Sequence, residues 1–302
     1  MLLDKPAGLS SNAALQRVRR ALRARKAGHT GSLDPLATGL LPICLGEATK
    51  ASAHLLGSDK AYETVAQLGV VTDSADAEGS VLERRVVVAL DADRIEAALA
   101  PLRGRIRQVP PALSALKQGG VPLYRRVRRG ETVEVPAREV EVRRLELIGI
   151  EVPDRLRLYV ECGSGTYVRA LVRDLGEALG CGAHVVMLRR LWVEPFRMPV
   201  MVGLDALEEA AERGDEAFLS RSLLPLSAAL AHLDVLGVDD AEAALLRAGR
   251  FLPRPLPGGP ATVAVALDST GRAVALLEEA PGGGVKAARV FLPAVTSGPP
   301  SA

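Results

Sequence analysis

One carboxylate is distinguished by the loop that carries it. Asp34 lies in the stretch GHTGSLDPLATGLLPICLG, residues 28–46, and no other acid occurs between Asp4 and Glu47. Three glycines and a proline in the first half favour a tight, irregular backbone, and the following LLPICLG predicts a buried strand. Asp34 is therefore either a turn residue, a place that aspartate favours, or an acid that acts alone in catalysis.

The other reactive residues argue against several kinds of site. The three cysteines form no CxxC pair and the four histidines have no ligand spacing, so we expect neither a disulfide framework nor a metal site. The GSGT turn at residues 163–166 could hold a phosphate, but it lacks the Walker lysine and the GxGxxG spacing. A glycosidase needs two carboxylates, and no GxSxG is present. DSADAEG, residues 73–79, fits a polar turn better than an EF-hand loop.

Length and charge limit the broad class of the protein. A chain of 302 residues predicts one large domain and one small one. We find no apolar run of about 18 residues and no signal-peptide pattern, so we expect no membrane contact and a cytoplasmic location. The net charge of +2 hides an asymmetry: residues 1–50 and 101–150 are basic, whereas residues 201–250 are acidic. The basic segments indicate either a polyanionic partner or solvated arginine faces.

Hydrophobic periodicity and turn chemistry predict the elements that position these residues. Ser10, Ser11 or Asn12 can cap a helix over residues 13–24, and Thr166 can cap a second helix over residues 167–179. We also expect two strands within residues 133–152, broken near Pro136. The remaining predicted strands of the first part cover residues 40–45, 60–71, 81–90, 155–162 and 183–193.

The pattern changes near residue 234. A short helix over residues 239–248 precedes three strands, which predicts a β-rich module of about sixty residues. We therefore expect an α+β protein with a mixed sheet. Its predicted divisions are a catalytic-sized domain at residues 1–233, a small β-rich domain at residues 234–296 and a disordered tail at residues 297–302.

Five stretches together resemble the TruB family of tRNA pseudouridine synthases. They are LLDKPAGLSSN, AGHTGSLDPLATGLLPICLGEATK, KAYE, GTYVRALVRDLGEALGCGAH and LRRL, and the resemblance covers about residues 2–196 in register. The resemblance implies a pseudouridine synthase fold, with a mixed, largely antiparallel sheet flanked by helices and a small PUA-like RNA-binding domain after it. It also implies an isomerase that converts uridine 55 in the T loop of tRNA to pseudouridine.

The same resemblance implies roles for seven residues. Asp34 matches the catalytic aspartate, Arg169 an arginine paired with it, and Tyr167 a tyrosine placed to move the C5 proton. Tyr62 matches a tyrosine that stacks on the target base, and Leu188 an apolar contact of the pocket. The implied substrate-binding residues are His29, Tyr62, Asp76 and Leu188. One departure is Leu113, which stands where the family often has a tyrosine.

The chemistry of that reaction explains how one acid can suffice. Uridine and pseudouridine are isomers, so no redox agent, nucleotide or metal is required, and we expect no cofactor. Asp34 could attack or stabilise C1′, or could remove a sugar proton and pass through a glycal. We expect the tRNA T stem-loop as partner, and a monomer. Two alternatives remain: a non-catalytic RNA-binding or tRNA-folding protein, and a synthase for another RNA site.

Overall fold

The computed structural model describes residues 1–55, 59–88, 91–114, 116–127, 129–151, 153–259 and 262–293. The strands are β1 (Leu2–Lys5), β2 (Ala27–His29), β3 (Thr38–Leu45), β4 (Lys60–Leu68), β5 (Val70–Thr72), β6 (Val81–Arg84), β7 (Gly104–Gln108), β8 (Lys117–Gln118), β9 (Val121–Pro122), β10 (Arg138–Glu151), β11 (Arg155–Cys162), β12 (Ala183–Val193), β13 (Val202–Gly203), β14 (Asp234–Gly237), β15 (Ala264–Leu267), β16 (Ala273–Glu279) and β17 (Val285–Val290). The α-helices are α1 (Ser11–Ala21), α2 (Ala92–Leu99), α3 (Leu123–Val127), α4 (Val168–Ala178), α5 (Leu204–Glu212), α6 (Glu216–Arg221), α7 (Leu226–Ala229) and α8 (Asp240–Arg247), with 3-10 turns at Gly46–Leu55 and Ala100–Leu102.

A mixed sheet of nine strands within the described ranges forms the centre of the first part. Its order is β13-β1-β3-β12-β4-β11-β10-β7, and β2 pairs with β3 beside this path. Only the β13/β1 and β3/β12 neighbours are parallel, so the sheet is largely antiparallel. The expected α+β class and the mixed, mostly antiparallel sheet are confirmed. Because β12 lies between β3 and β4, it brings the loop before β3 close to the residues of β4.

Helix α4 covers the sheet with the face that the sequence predicts. Leu171, Leu175 and Leu179 recur at intervals of four residues, and each is at most 4% exposed. Gly176 permits the close approach, because a β-carbon there would lie 2.2 Å from the backbone nitrogen of Ala183 in β12. The start of α4, which carries Tyr167 and Arg169, is thereby fixed relative to the sheet.

A second sheet of four strands, β14-β15-β16-β17, forms the C-terminal module. Its own core packs beneath α8, and a smaller apolar cluster joins it to the 3-10 turn that follows β3 through Ala51 and Phe291. Polar contacts reinforce this junction: Lys50 Nζ donates to the Val290 carbonyl at 2.8 Å, and the Leu292 N–H donates to Glu47 Oε2 at 2.8 Å. The module therefore rests on the segment directly after the Asp34 loop and β3.

Several predicted elements differ from the observed ones. The strand predicted over residues 60–71 breaks at Gly69, whose φ of +81° turns the chain from β4 into β5. The two strands predicted around Pro136 are one long strand, β10, which pairs with β7 along its first half and with β11 along its second. Strand β14 was not predicted, and β6 ends at Arg84. The predicted tail, residues 297–302, lies outside the described residues.

No helix in the described part of the chain is long and apolar enough to span a bilayer. The three cysteines, Cys44, Cys162 and Cys181, are buried and unpaired, as expected from their spacing. Helix α1 begins two residues earlier than predicted, because Ser10 is the cap and its hydroxyl accepts the Ala13 N–H at 3.1 Å.

The pairing of β3 with β12 depends on a glycine. Gly39 has a φ of +96°, and a β-carbon there would lie 2.2 Å from the carbonyl oxygen of Arg190. We predict that Gly39→Ala lowers the free energy of unfolding by about 3 kcal/mol or prevents folding, since strain and a backbone clash combine. Gly46 is the matched control, because it also has a positive φ but nothing lies within 4 Å of where its β-carbon would be. Gly46→Ala should cost only about 1 kcal/mol; equal losses in urea unfolding would contradict the argument.

Candidate active site

The loop between β2 and β3 holds Asp34 in place through contacts from three other elements. The Ser11 hydroxyl of α1 accepts the Leu33 N–H at 2.7 Å and donates to the Leu33 carbonyl at 2.9 Å. The buried Lys5 ammonium of β1 donates to the Pro35 carbonyl at 3.3 Å. Arg190 of β12 donates to the carbonyl of Gly31 at 2.9 Å. The backbone on both sides of Asp34 is therefore fixed, which a catalytic carboxylate requires.

The guanidinium of Arg169 joins Asp34 to the rest of the site. Its Nε lies 2.8 Å from Asp34 Oδ2 and its Nη1 lies 3.1 Å from Asp76 Oδ2. Nη1 also donates to the Ser74 carbonyl at 2.7 Å, and Nη2 donates to the Leu113 carbonyl at 3.0 Å. The Nε–H is not aimed directly at Asp34, so this contact is an ion pair and not an aligned hydrogen bond. Any residue at position 113 could supply its carbonyl, so the departure from the family pattern leaves this contact intact.

Asp76 holds Arg169 from the side opposite Asp34. The carboxylate is buried, and its Oδ1 accepts the Ser74 hydroxyl at 2.6 Å and the Glu78 N–H at 3.0 Å. Its other oxygen is the partner of Arg169. Asp76 is not among the residues that line the pocket in front of Asp34. The geometry thus assigns it contact with Arg169, and the substrate contact that the sequence suggested stays a prediction.

Burial governs the protonation of Asp34. Loss of solvent raises the pKa of its carboxyl above the ordinary 3.8; the charge of Arg169 opposes the shift, and the negative charge of Asp76 adds to it. The side chain is still 39% exposed, so the carboxylate remains open to the pocket. Arg169 thus favours the charged form of Asp34, and it limits a rise in the pKa of the carboxyl that desolvation causes.

A pocket of about 270 Å³ opens in front of Asp34. This volume is slightly below the ~300–1,000 Å³ of pockets for drug-sized ligands, so it suits one nucleoside. Three parts of the fold converge here: the Asp34 loop, strands β4 and β12, and the turn from β11 into α4. The residues that line the pocket are Gly31, Ser32, Leu33, Asp34, Lys60, Tyr62, Arg138, Gly163, Ser164, Gly165, Thr166, Tyr167, Val168, Arg169, Leu188 and Arg190.

Five of the seven sequence-predicted site residues meet at this pocket: Asp34, Tyr62, Tyr167, Arg169 and Leu188. Tyr62 and Leu188 come from the adjacent strands β4 and β12, and both are less than 9% exposed. Burial raises the pKa of the Tyr62 phenol, so Tyr62 stays neutral and offers a flat apolar surface. Tyr167 is half-buried and occupies the cap position of α4.

The predicted cap of α4 is wrong. Tyr167, not Thr166, is the residue before the first turn, and no side chain caps the helix. The Thr166 hydroxyl is buried and has no aligned hydrogen-bond partner in the part of the chain that the structure describes. The extended backbone at Tyr167 follows from a different contact, made by Gln108 of β7 to its N–H and carbonyl.

His29 does not line the pocket. It is the last residue of β2, pairs with Ile43 of β3 and is half-buried, and no described residue forms a hydrogen bond with its Nδ1. Burial lowers the pKa of its imidazole, and the charge of Arg190 lowers it further, so the ring is neutral at pH 7. A contact with RNA therefore stays a prediction for this residue.

Two buried cations of the pocket were not predicted as site residues. Arg190 is 1% exposed, and its Nε donates to the Leu40 carbonyl at 2.7 Å. Lys60 is also buried, and loss of solvent lowers the pKa of its ammonium. A signal for Arg190 was present in the sequence, because it lies two residues after Leu188 in a strand and so shares the same face. Among described residues, no group of His, Cys, Asp or Glu is arranged to bind a metal.

Comparison with known proteins agrees with this geometry. The profile described as "TruB family pseudouridylate synthase (N terminal domain)" matches residues 19–168, and "tRNA pseudouridylate synthase B C-terminal domain" matches residues 169–231. The proteins named tRNA pseudouridine synthase B from Xanthomonas axonopodis pv. citri and Xylella fastidiosa are 59% and 57% identical to the chain over 252 residues. Each alignment covers 83% of this chain, and 81% and 82% of the relatives.

A solved structure extends the likeness to the C-terminal module. The crystal structure of a Cbf5-Nop10-Gar1 complex contains a chain with a TM-score of 0.75 and 25% identity, and the match covers 97% of this chain and 84% of that one. The two family profiles end at residue 231, before the four-stranded sheet, which the structural match includes. From the relatives, the profiles and the fold together, we conclude that the chain belongs to the TruB family of pseudouridylate synthases.

Proposed function

We propose that this protein converts uridine 55 in the T loop of tRNA to pseudouridine. The observation that carries the proposal is the setting of Asp34: a pocket whose described lining holds no other carboxylate and includes its buried arginine partner and two tyrosines. The names of the relatives support tRNA as the substrate class. The proposed divisions are a catalytic domain at residues 1–233 and a PUA-like RNA-binding domain at residues 234–296.

The target uridine must leave its stack to reach Asp34. Flipping a base out of a folded loop costs a few kcal/mol, which new contacts in the pocket must offset. The ring of Tyr62 offers a stacking surface, and Leu188 offers an apolar contact beside it. Stacking of a base on an aromatic ring contributes about 1–3 kcal/mol. The pocket suits one flipped nucleoside in size and in polarity.

Asp34 then acts at the sugar. As a carboxylate it can attack or stabilise C1′ while the C1′–N1 bond breaks, or it can remove a sugar proton and form a glycal. Both routes need the ionised acid, and Arg169 ensures that the carboxylate becomes protonated only at a lower pH than burial alone would set. The freed base turns, and the C5=C6 electron pair forms the bond from C5 to C1′. On the attack route the Asp34 carboxylate leaves C1′ with the electron pair of its bond, and on the glycal route Asp34 returns the proton to the sugar.

The last step moves a proton. The C5–H bond breaks, its electron pair forms the C5=C6 double bond, and the C6=N1 pair moves to N1, which takes up a proton. The net change is one proton from C5 to N1, so atoms and charge balance without another reactant. Tyr167 borders the same pocket as Asp34, and we assign it the acceptance of the C5 proton.

The experiment for the proposed function needs the full chain and unmodified tRNA, with no added cofactor. We expect pseudouridine at position 55 when the product is mapped by mass-tagged sequencing. Product at another position would indicate a synthase for a different site. Binding without product would contradict catalysis and favour the RNA-folding alternative.

Asp34→Asn should abolish pseudouridine formation and leave tRNA binding within about twofold. The change keeps the shape and removes the charge that either route requires. Because burial raises the pKa of Asp34, its ionised form destabilises the folded state at neutral pH, so the variant should fold. The control is Asp93→Asn, an exposed acid in α2 that should behave like wild type. Normal product from Asp34→Asn would refute the role.

The pH dependence tests the contacts of Arg169. The single-turnover rate should fall in acid with an apparent pKa above the ordinary 3.8 of Asp, because the inactive protonated form of Asp34 is favoured by burial. Asp76→Asn removes a negative charge that raises this pKa, so the acid limb should move to lower pH while the maximal rate falls about tenfold from a looser Arg169.

The matched control for that variant is Asp73→Asn, in the same turn but exposed and without contact to Arg169. Asp73→Asn should keep both the acid limb of the wild-type pH–rate profile and the wild-type maximal rate. A limb that moves to higher pH in Asp76→Asn would show that the assigned electrostatic effect of Asp76 is wrong.

A further inference from the structure

Two side chains from the edge of the main sheet converge on Tyr167. Gln108 ends β7 and Arg138 begins β10, and the two residues are direct partners across these antiparallel strands. Cross-strand partners place their side chains on the same face of a sheet. Both side chains then reach Tyr167, one at its backbone and the other at its ring.

Gln108 holds the backbone of Tyr167 at two points. Its Oε1 accepts the Tyr167 N–H at 2.8 Å, and its Nε2 donates to the Tyr167 carbonyl at 3.1 Å. The glutamine is fully buried. This pair of bonds resembles the pairing of a neighbouring strand and stabilises the extended conformation that Tyr167 has before α4 begins. A buried amide with both ends bonded is costly to disturb.

Arg138 holds the ring. Its guanidinium carbon lies 4.9 Å from the centre of the Tyr167 ring, within the range of a cation–π contact. It also donates to the carbonyl of Gly165, in the turn that precedes Tyr167. Its buried Nε has no hydrogen-bond partner among the residues that the structure describes, and the ring and this carbonyl both hold the guanidinium. Arg138 thus fixes the tyrosine ring relative to the turn that lines the pocket.

We propose that Gln108 and Arg138 form a clamp that positions Tyr167 to accept the C5 proton. The inference rests on the proposed function and concerns its last step. Both are positioning residues, because their contacts are with Tyr167 and its turn.

The clamp predicts which chemical step suffers when it is lost. Arg138→Met keeps much of the volume but removes the charge and the hydrogen bond. The single-turnover rate at saturating enzyme should fall about 10- to 100-fold, since small misplacements of a reacting group cost that much. With tRNA whose uridines carry deuterium at C5, the variant should show a primary isotope effect at least as large as that of wild type. Gln108→Met should act in the same direction.

The control is Arg107→Met, on the same strand as Gln108 but exposed and paired across the sheet with Glu139. It should keep the wild-type rate and isotope effect. Arg138→Lys retains the charge without the planar fork, and should give an intermediate rate.

The outcomes separate the clamp from the proposed function. The clamp would be overturned if Arg138→Met kept the wild-type rate, or if it were slower but showed no primary isotope effect. Should Gln108→Met fail to fold, the two Arg138 variants still decide. Wild-type protein that forms no pseudouridine would instead refute the proposed function on which the clamp rests.

Discussion

The site depends on a buried cation that four groups share. Arg169 is 3% exposed, and an unpaired guanidinium at that depth would be strongly destabilising. Two carboxylates and two backbone carbonyls surround it, and they belong to the Asp34 loop, the turn at residues 73–79 and the segment before β8. Because all four groups contact the same guanidinium, helix α4 and three separate segments are held in one arrangement.

This arrangement also sets the electrostatic balance at the reacting acid. A deeply buried carboxylate alone would stay protonated over more of the pH range, and a fully solvated one would be strongly hydrated. Asp34 lies between these limits. Burial raises the pKa of its carboxyl and Arg169 opposes the rise, while the negative charge of Asp76 offsets part of the arginine's positive charge. Asp76 therefore weakens the effect of Arg169 on the pKa of Asp34, and at the same time it holds the guanidinium in place. Such a compromise suits the role that we propose for Asp34, which requires a carboxylate that is ionised and yet reactive at C1′.

The sequence predicted the parts of the site that local patterns and a family motif can specify. Asp34, Tyr62, Tyr167, Arg169 and Leu188 meet at one pocket, and the bounds of β11 and β12 were predicted to the residue. Features that depend on strand register were missed. Gln108 and Arg138 are thirty residues apart in sequence and become neighbours only because β7 pairs with the first half of β10. The break at Pro136 was placed within a strand, although the proline precedes it.

The prediction that Thr166 caps α4 failed for a different reason. A threonine before an amphipathic helix is a good candidate for a cap, and local chemistry alone favours it. Here a buried glutamine from another strand fixes the next residue instead, so tertiary contacts override the local preference. The alternation of β12 could have placed Arg190 on the same face as Leu188. An arginine in an apolar strand is more often solvated than buried, however, and Arg190 is buried.

The fold explains part of the charge pattern of the sequence by ion pairs within the molecule. Residues 1–50 are basic and residues 201–250 are acidic, which suggested an anionic partner for the first segment. Helix α1 packs against α5, however, and Arg17 pairs with Glu208 and Asp205. Part of the asymmetry is thus neutralised within the molecule. Four cationic residues, Lys60, Arg138, Arg169 and Arg190, line the pocket instead, together with one carboxylate, that of Asp34. The positive charge at the pocket therefore comes from these individual residues, and the net charge of +2 is a poor guide to it.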